Sequence, residues 1–157
     1  MIEKAIAIVP ATLAHARAID LRDGDRREIA AVGKTAEQAV ADSLARSLWA
    51  ESYMIGGEVA AIVGLAVPCV LGGIACPWLL TGRPVDRHTR TFLRETAKGV
   101  ARMQAEYPVL LNMVHAEYRQ ALRWLGWLGF EIGPPRPHGP YGAPFCPAIL
   151  KPETCHG

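Results

Sequence analysis

Several side chains could take or deliver a proton. His115 follows a short apolar run, Val109–Val114, and sits beside Asn112. An imidazole there is the right type to accept a proton at neutral pH. The plainer reading is a histidine hydrogen-bonded at a strand end. Glu28, Glu51 and Glu58 are the carboxylates that could serve as a general base, and Tyr118 is an aromatic hydroxyl three residues beyond His115. Arg22, Asp25 and Glu28 read together as an ion-pair cluster, and exposed clusters of this kind are usually just solvated. A second charged stretch, residues 81–90 (TGRPVDRHTR), places Arg83, Arg87 and Arg90 after Leu80 and Gly82, a spacing that could attract an anion. Its plainer reading is that Asp86 caps the following helix and the arginines are hydrated. Other chemistries have little footing. Cys146, Cys155, His138 and His156 lack zinc-finger spacing. No nucleophile elbow is present, and the four cysteines form no C-x-x-C pair. They are expected to be reduced thiols.

The elements that must position these groups follow from periodicity and punctuation. Lys4–Val9 reads as a strand closed by Pro10, and Ala11–Leu21 as a helix. Arg22–Glu28 reads as a charged turn whose Asp25 and Glu28 have capping-box spacing for a short helix to Val32, which Gly33 stops. Thr35 and Gln38 repeat that spacing ahead of a helix to about Ala50. Residues 51–55, Gly56-Gly57 and residues 58–67 form a hairpin pattern. A strand at Ile74–Leu80 comes next, then a helix from about Arg87 to Glu106. After Pro108, Val109–Phe130 reads as strand, turn and amphipathic helix, with Leu122, Leu125 and Leu128 inward and Gly129 as cap. Trp124 and Trp127, three apart on that helix, suggest that one ring is exposed and available for a protein contact. A strand near Phe130–Ile132 follows.

Six prolines (Pro134, Pro135, Pro137, Pro140, Pro144, Pro147) fill the next segment. It is therefore expected to run extended, anchored by Phe145, with an edge strand at Ala148–Leu150 and a frayed end at Thr154–Gly157.

Length and composition bound the possibilities. A chain of 157 residues, half of them hydrophobic, makes one packed domain. Seventeen basic and fifteen acidic side chains are too balanced to imply nucleic acid or an anionic membrane surface. Val59–Leu80 carries no charge over 22 residues, long enough to span a bilayer as a helix. The prolines and glycines within it favour two buried strands joined at Pro68–Gly73, so membrane insertion is not expected. The element order makes the fold class α/β: one mixed, mostly antiparallel sheet flanked by helices.

The wording of three stretches adds a resemblance. PWLLTG at 77–82, FLR at 92–94 and RWLGWLGF at 123–130 resemble the acyl-CoA N-acyltransferase (GNAT) superfamily, and most of all GNAT-like proteins of short-tailed bacteriophages. The resemblance covers about residues 4–133. It implies a GNAT-like domain over 1–133 and a Pro-rich extension over 134–157 packed on or near it. It also implies an acetyl-CoA site in the loop after the fourth strand, at Leu80, Gly82, Arg83, Arg87 and Arg90. Substrates would lie between splayed central strands, near His115, Glu28 and Tyr118. The later glycines of the family loop are absent, however, Pro84 removes a donor, and Leu125 stands where the family often has an acidic tyrosine. The resemblance therefore implies either a protein with a degenerate acetyl-CoA site, binding phage structural proteins or itself in the host cytoplasm or the virion, or an active acetyl-CoA-dependent N-acetyltransferase.

Overall fold

The structure is a computed structural model that describes residues 4–67 and 72–153. Part of the Pro68–Gly73 joint lies outside the described residues, as do Cys155, His156 and the Thr154–Gly157 end. The chain runs β1 (Ala7–Pro10), α1 (Leu13–Ala18), α2 (Asp23–Ala31), α3 (Ala36–Arg46), β2 (Ser47–Ile55), β3 (Glu58–Ala66), β4 (Ile74–Thr81), α4 (Pro84–Arg87), α5 (Thr89–Glu106), β5 (Val109–His115), α6 (Arg119–Trp127), β6 (Glu131–Ile132), β7 (Arg136–His138) and β8 (Ala143–Leu150). It is an α/β fold on one mixed sheet in the order β1-β2-β3-β4-β5-β8-β6, with β7 on β8.

Local chemistry explains much of this. Thr35 Oγ1 accepts from the Gln38 N–H and Gln38 returns a bond to the Thr35 N–H, so the expected capping box starts α3. Gly56 and Gly57 take φ of 57° and 84°, the left-handed pair that a two-residue hairpin needs between β2 and β3. β3 is buried along nearly its whole length because helices cover both faces of the sheet. One core layer (Leu65, Phe92, Met103, Leu110, Leu125, Phe130) lies under α5 and α6. The other (Ile19, Ile29, Val40, Ile62, Leu80) lies under the first three helices. No helix among the described residues is long and apolar enough to cross a membrane.

Four expectations change. The helix expected to reach about Ala50 ends at Arg46, and Ser47–Ala50 open β2. Residues 22–28 are not a turn: α2 begins at Asp23, and Asp25 is a buried residue within the helix instead of a cap. Asp86 caps nothing; it lies in the short α4 and pairs with Arg22 at 3.2 Å. The edge strand expected at Ala148–Leu150 is the longer β8, which lies inside the sheet between β5 and β6.

The feature that makes a site is the junction of β4 and β5. These neighbours are parallel and share only the pairs Ile74–Val109 and Ala75–Leu110. Beyond them the strands diverge. β4 stays with β3 to Thr81, and β5 stays with β8 to His115.

Candidate active site in the strand splay

The wedge between β4 and β5 holds a cleft of about 110 Å³ whose walls include Leu79 and Thr81 from β4, Asn112 and Val114 from β5, and Trp124 and Leu125 from α6. A second, apolar chamber of about 50 Å³ shares Leu79, Asn112, Trp124 and Leu125 with it and continues toward Val100, Met103 and Phe130. Register decides what the β4 wall offers. The Gly82 N–H bonds back to the Ala60 carbonyl on β3, while the Thr81 N–H and carbonyl turn the other way. Alternation along the strand then points the Leu79 N–H and carbonyl into the wedge, and Pro77, the next such position, has no N–H to offer.

α2 lies across the open end. Asp25 and Glu28, one turn apart, face the splay and reach its two strands. Asp25 Oδ1 accepts from the Thr81 N–H at 3.1 Å. Its Oδ2 accepts from the Thr81 hydroxyl and from the Tyr118 hydroxyl, the latter at 2.7 Å. Glu28 Oε2 accepts from the His115 N–H at 2.9 Å. The helix thus clasps the last residue of β4 through one carboxylate and the last residue of β5 through the other.

The electrostatics follow from burial. Desolvation pushes Glu28 up to about 7, partly opposed by the His115 N–H and reinforced by the nearby Asp25 charge. Desolvation also raises Asp25, against the bonds from Thr81 and Tyr118 that favour its charged form. Burial, then the Asp25 carboxylate, hold the Tyr118 phenol well above its usual range, so it stays protonated. Arg22 closes one side: its N–H bonds to the Thr81 carbonyl at 3.0 Å, and its guanidinium meets Asp86 and Gln120.

Glu28 and Tyr118 therefore meet in one site, with Tyr118 at the head of α6, and His115 sits at its rim. His115 Nδ1 accepts from the Glu117 N–H, and its ring packs edge-on against Phe145. Glu51 and Glu58 lie elsewhere, paired with Arg102 at 3.0 Å and Arg87 at 2.9 Å. The loop after β4 departs from what an anion needs. The N–H groups of Gly82, Arg83, Val85 and Asp86 are bonded to the carbonyls of Ala60, Asp20, Gly82 and Arg83. Arg83 pairs with Asp20 and Asp23, and Arg87 with Glu58; both side chains stay about half exposed, so they are hydrated as in the plainer reading but are also ion-paired. Leu80 points into the core layer under the first helices, and Arg90 lies on the first turn of α5. Among the described residues no group of three or more His, Cys, Asp or Glu is placed to hold a metal.

Asp25, Thr81 and Trp124 were not apparent as site residues from sequence. For Asp25 a signal existed: it lies four residues before Ile29, and both are buried on the same face of α2. Trp124 is half-buried, its ring tilted against Phe92 with centroids 5.8 Å apart, and its indole Nε1 is a buried donor without a hydrogen-bond partner.

Neither family models nor curated proteins match the sequence. Solved structures do match the fold. A candidate acetyltransferase superposes with a TM-score of 0.72 at 14% identity, over 95% of this chain and 86% of that one. The ribosomal-protein-S18-alanine N-acetyltransferase of Escherichia coli gives 0.64 at 17%, over 97% and 98%. A GNAT superfamily phosphinothricin acetyltransferase from Sinorhizobium meliloti, in complex with acetyl-CoA, gives 0.63 at 12%, over 98% and 92%. The chain has the GNAT fold. At these identities the likeness establishes the GNAT fold and leaves the chemistry to the residues in the splay.

Proposed function

We propose that the protein is an acyl-CoA-dependent N-acyltransferase in which Glu28 is the general base. The observation that carries this reading is Glu28 itself, a partly buried carboxylate on the wall of the splay with its pKa pushed up to about 7. Such a group is half-ionised where an amine must lose a proton, which is the condition for efficient base catalysis. Acetyl-CoA, when bound, supplies a thioester carbonyl and a thiol leaving group. The open edge at Leu79 and the apolar chamber fit its acyl arm. Glu28 takes the proton that the acceptor nitrogen releases as the C–N bond forms. Tyr118, kept protonated, is the hydroxyl we assign to give a proton to the sulfur as the C–S bond breaks. Asp25 holds Tyr118 in place. The diphosphate end fits less simply, because an anion there has to displace carboxylates from Arg83 or Arg87.

The test joins binding to pH dependence. At about 100 times its Kd, acetyl-CoA stabilises the native state by about 2.7 kcal/mol, several degrees in a domain of this size. We expect that upshift, weakened by R83A/R87A. We also expect thiol release in the presence of primary amines, with kcat/KM rising through a pH of about 7. Glu28→Gln should lower kcat by about 10²–10⁴-fold and remove that limb. No upshift at millimolar acetyl-CoA sinks the reading.

Two observations favour a second reading, a protein-contact role such as assembly of a phage particle in the host cytoplasm, as the sequence resemblance implies. The amides after β4 are already bonded, and Trp127 is 62% exposed at the end of α6. On that reading acetyl-CoA leaves the melting temperature unchanged, and a phage structural protein or a second copy of the chain binds the Trp127 face.

A further inference from the structure

Among the described residues, only two buried side-chain nitrogen or oxygen atoms lack a hydrogen-bond partner, His88 Nδ1 and Trp124 Nε1. A buried donor left unsatisfied costs roughly 1–3 kcal/mol, so natural proteins rarely keep one without a use. His88 lies at the junction of α4 and α5 and lines neither cavity of the splay. Trp124 lines both. Its ring stands where the polar cleft meets the apolar chamber, backed by Phe92.

An indole can only donate. Whatever meets Nε1 must therefore bring an acceptor, and an amine's protons are of no use to it. The neighbouring walls divide the work. Leu79 on β4 offers an extended backbone edge, and Leu125, Met103 and Phe130 offer apolar surface. A group with a carbonyl oxygen at one point and hydrocarbon beyond it suits both.

We propose that the Trp124 indole N–H is a hydrogen-bond donor to the carbonyl oxygen of an acyl thioester seated in the splay. This rests on the acyltransfer reading for the identity of the carbonyl. As the amine nitrogen adds, the C=O electron pair moves onto oxygen, and an N–H bonded to it would favour the charge that develops. The pair returns when the C–S bond breaks. Glu28 and Trp124 then act on opposite ends of one event, the first on the nitrogen's proton and the second on the oxygen's charge.

The variant is Trp124→Phe, which keeps an aromatic ring against Phe92 and deletes the N–H. The probe is S-acetylpantetheine, which has the thioester and arm but no diphosphate, so the crowded loop after β4 does not enter. The control is S-ethylpantetheine, the thioether without the carbonyl. We expect S-acetylpantetheine to raise the melting temperature of the wild type and to change its tryptophan emission. We expect Trp124→Phe to bind it at least tenfold more weakly, with the thioether bound equally by both proteins. With acetyl-CoA and an amine, kcat should fall by about 10²–10³-fold. Equal affinity of both proteins for S-acetylpantetheine overturns the proposal, as does absence of binding at millimolar concentration. If the truncated thioester binds through Trp124 while acetyl-CoA does not bind, the proposal stands and the full cofactor reading fails.

Discussion

Asp25 and Glu28 are the same kind of group, one helical turn apart, yet they end in different states because of what each meets. Asp25 gathers three donors from Thr81 and Tyr118, which oppose its desolvation. Glu28 has one, the His115 N–H, and its pKa rises to about 7. The rise has a thermodynamic sign. A folded-state pKa above the unfolded value of about 4.5 means that the fold prefers the protonated carboxyl. That contribution is fully present below about pH 4.5 and is lost as pH climbs through about 7. The shift corresponds to at most about 3 kcal/mol at pH 8. Glu28→Gln, which keeps an oxygen for the His115 N–H, should therefore melt several degrees above wild type at pH 8 and nearly level with it at pH 5. Thermal unfolding at the two pH values checks this; equal melting temperatures at pH 8 would mean that Glu28 is already ionised at no cost. A residue that destabilises its own fold at working pH is the kind retained for chemistry.

At the scale of elements, local signals were legible where they were complete. The Gly56-Gly57 hairpin, the Thr35 capping box, and the run from β5 through α6 to Gly129 all formed as their residues dictate. α2 was not legible, because Arg22–Glu28 has almost no apolar periodicity. Its inward face is set by hydrogen bonds to Thr81, Tyr118 and His115, residues more than fifty positions away. β8 was hidden by its prolines. Pro144 and Pro147 are tolerated for reasons of register: Pro144 lies just beyond the His115–Phe145 pair that ends β5, and Pro147 faces the gap between β6 and β7. The missing donors fall where no strand is waiting. Packing between elements is equally exact at Gly64, which lies opposite Trp78 in the β3–β4 ladder. A methyl group there would come within 2.3 Å of the indole, and that indole is pinned by a 2.8 Å bond from Nε1 to Ser47 Oγ. Gly64→Ala should cost about 1–3 kcal/mol and lower the melting temperature accordingly; an unchanged value would show that Trp78 can swing aside.

For the whole molecule, the splay that creates the cleft also weakens the sheet. β5 is tied to β4 by two residue pairs and to β8 by six, Leu110–Leu150 through His115–Phe145. One half of the sheet therefore hangs on its last strand. A chain ended after Gly133 should show no cooperative thermal transition, because β5, the floor under α6 and one wall of the cleft lose their support together. A cooperative transition in that truncated chain would mean that the core around Leu110 and Leu125 closes without β8.

The place of β8 in chain order reaches back to how the protein is made. A ribosome delivers β1 to β5 and α6 before it delivers the strand that seals β5. Through that interval the nascent chain carries an open strand edge beside a half-built apolar wall, the kind of surface that recruits chaperones or pairs with a neighbouring chain. The wedge that would receive a substrate thus stays unsupported until β8 has been delivered.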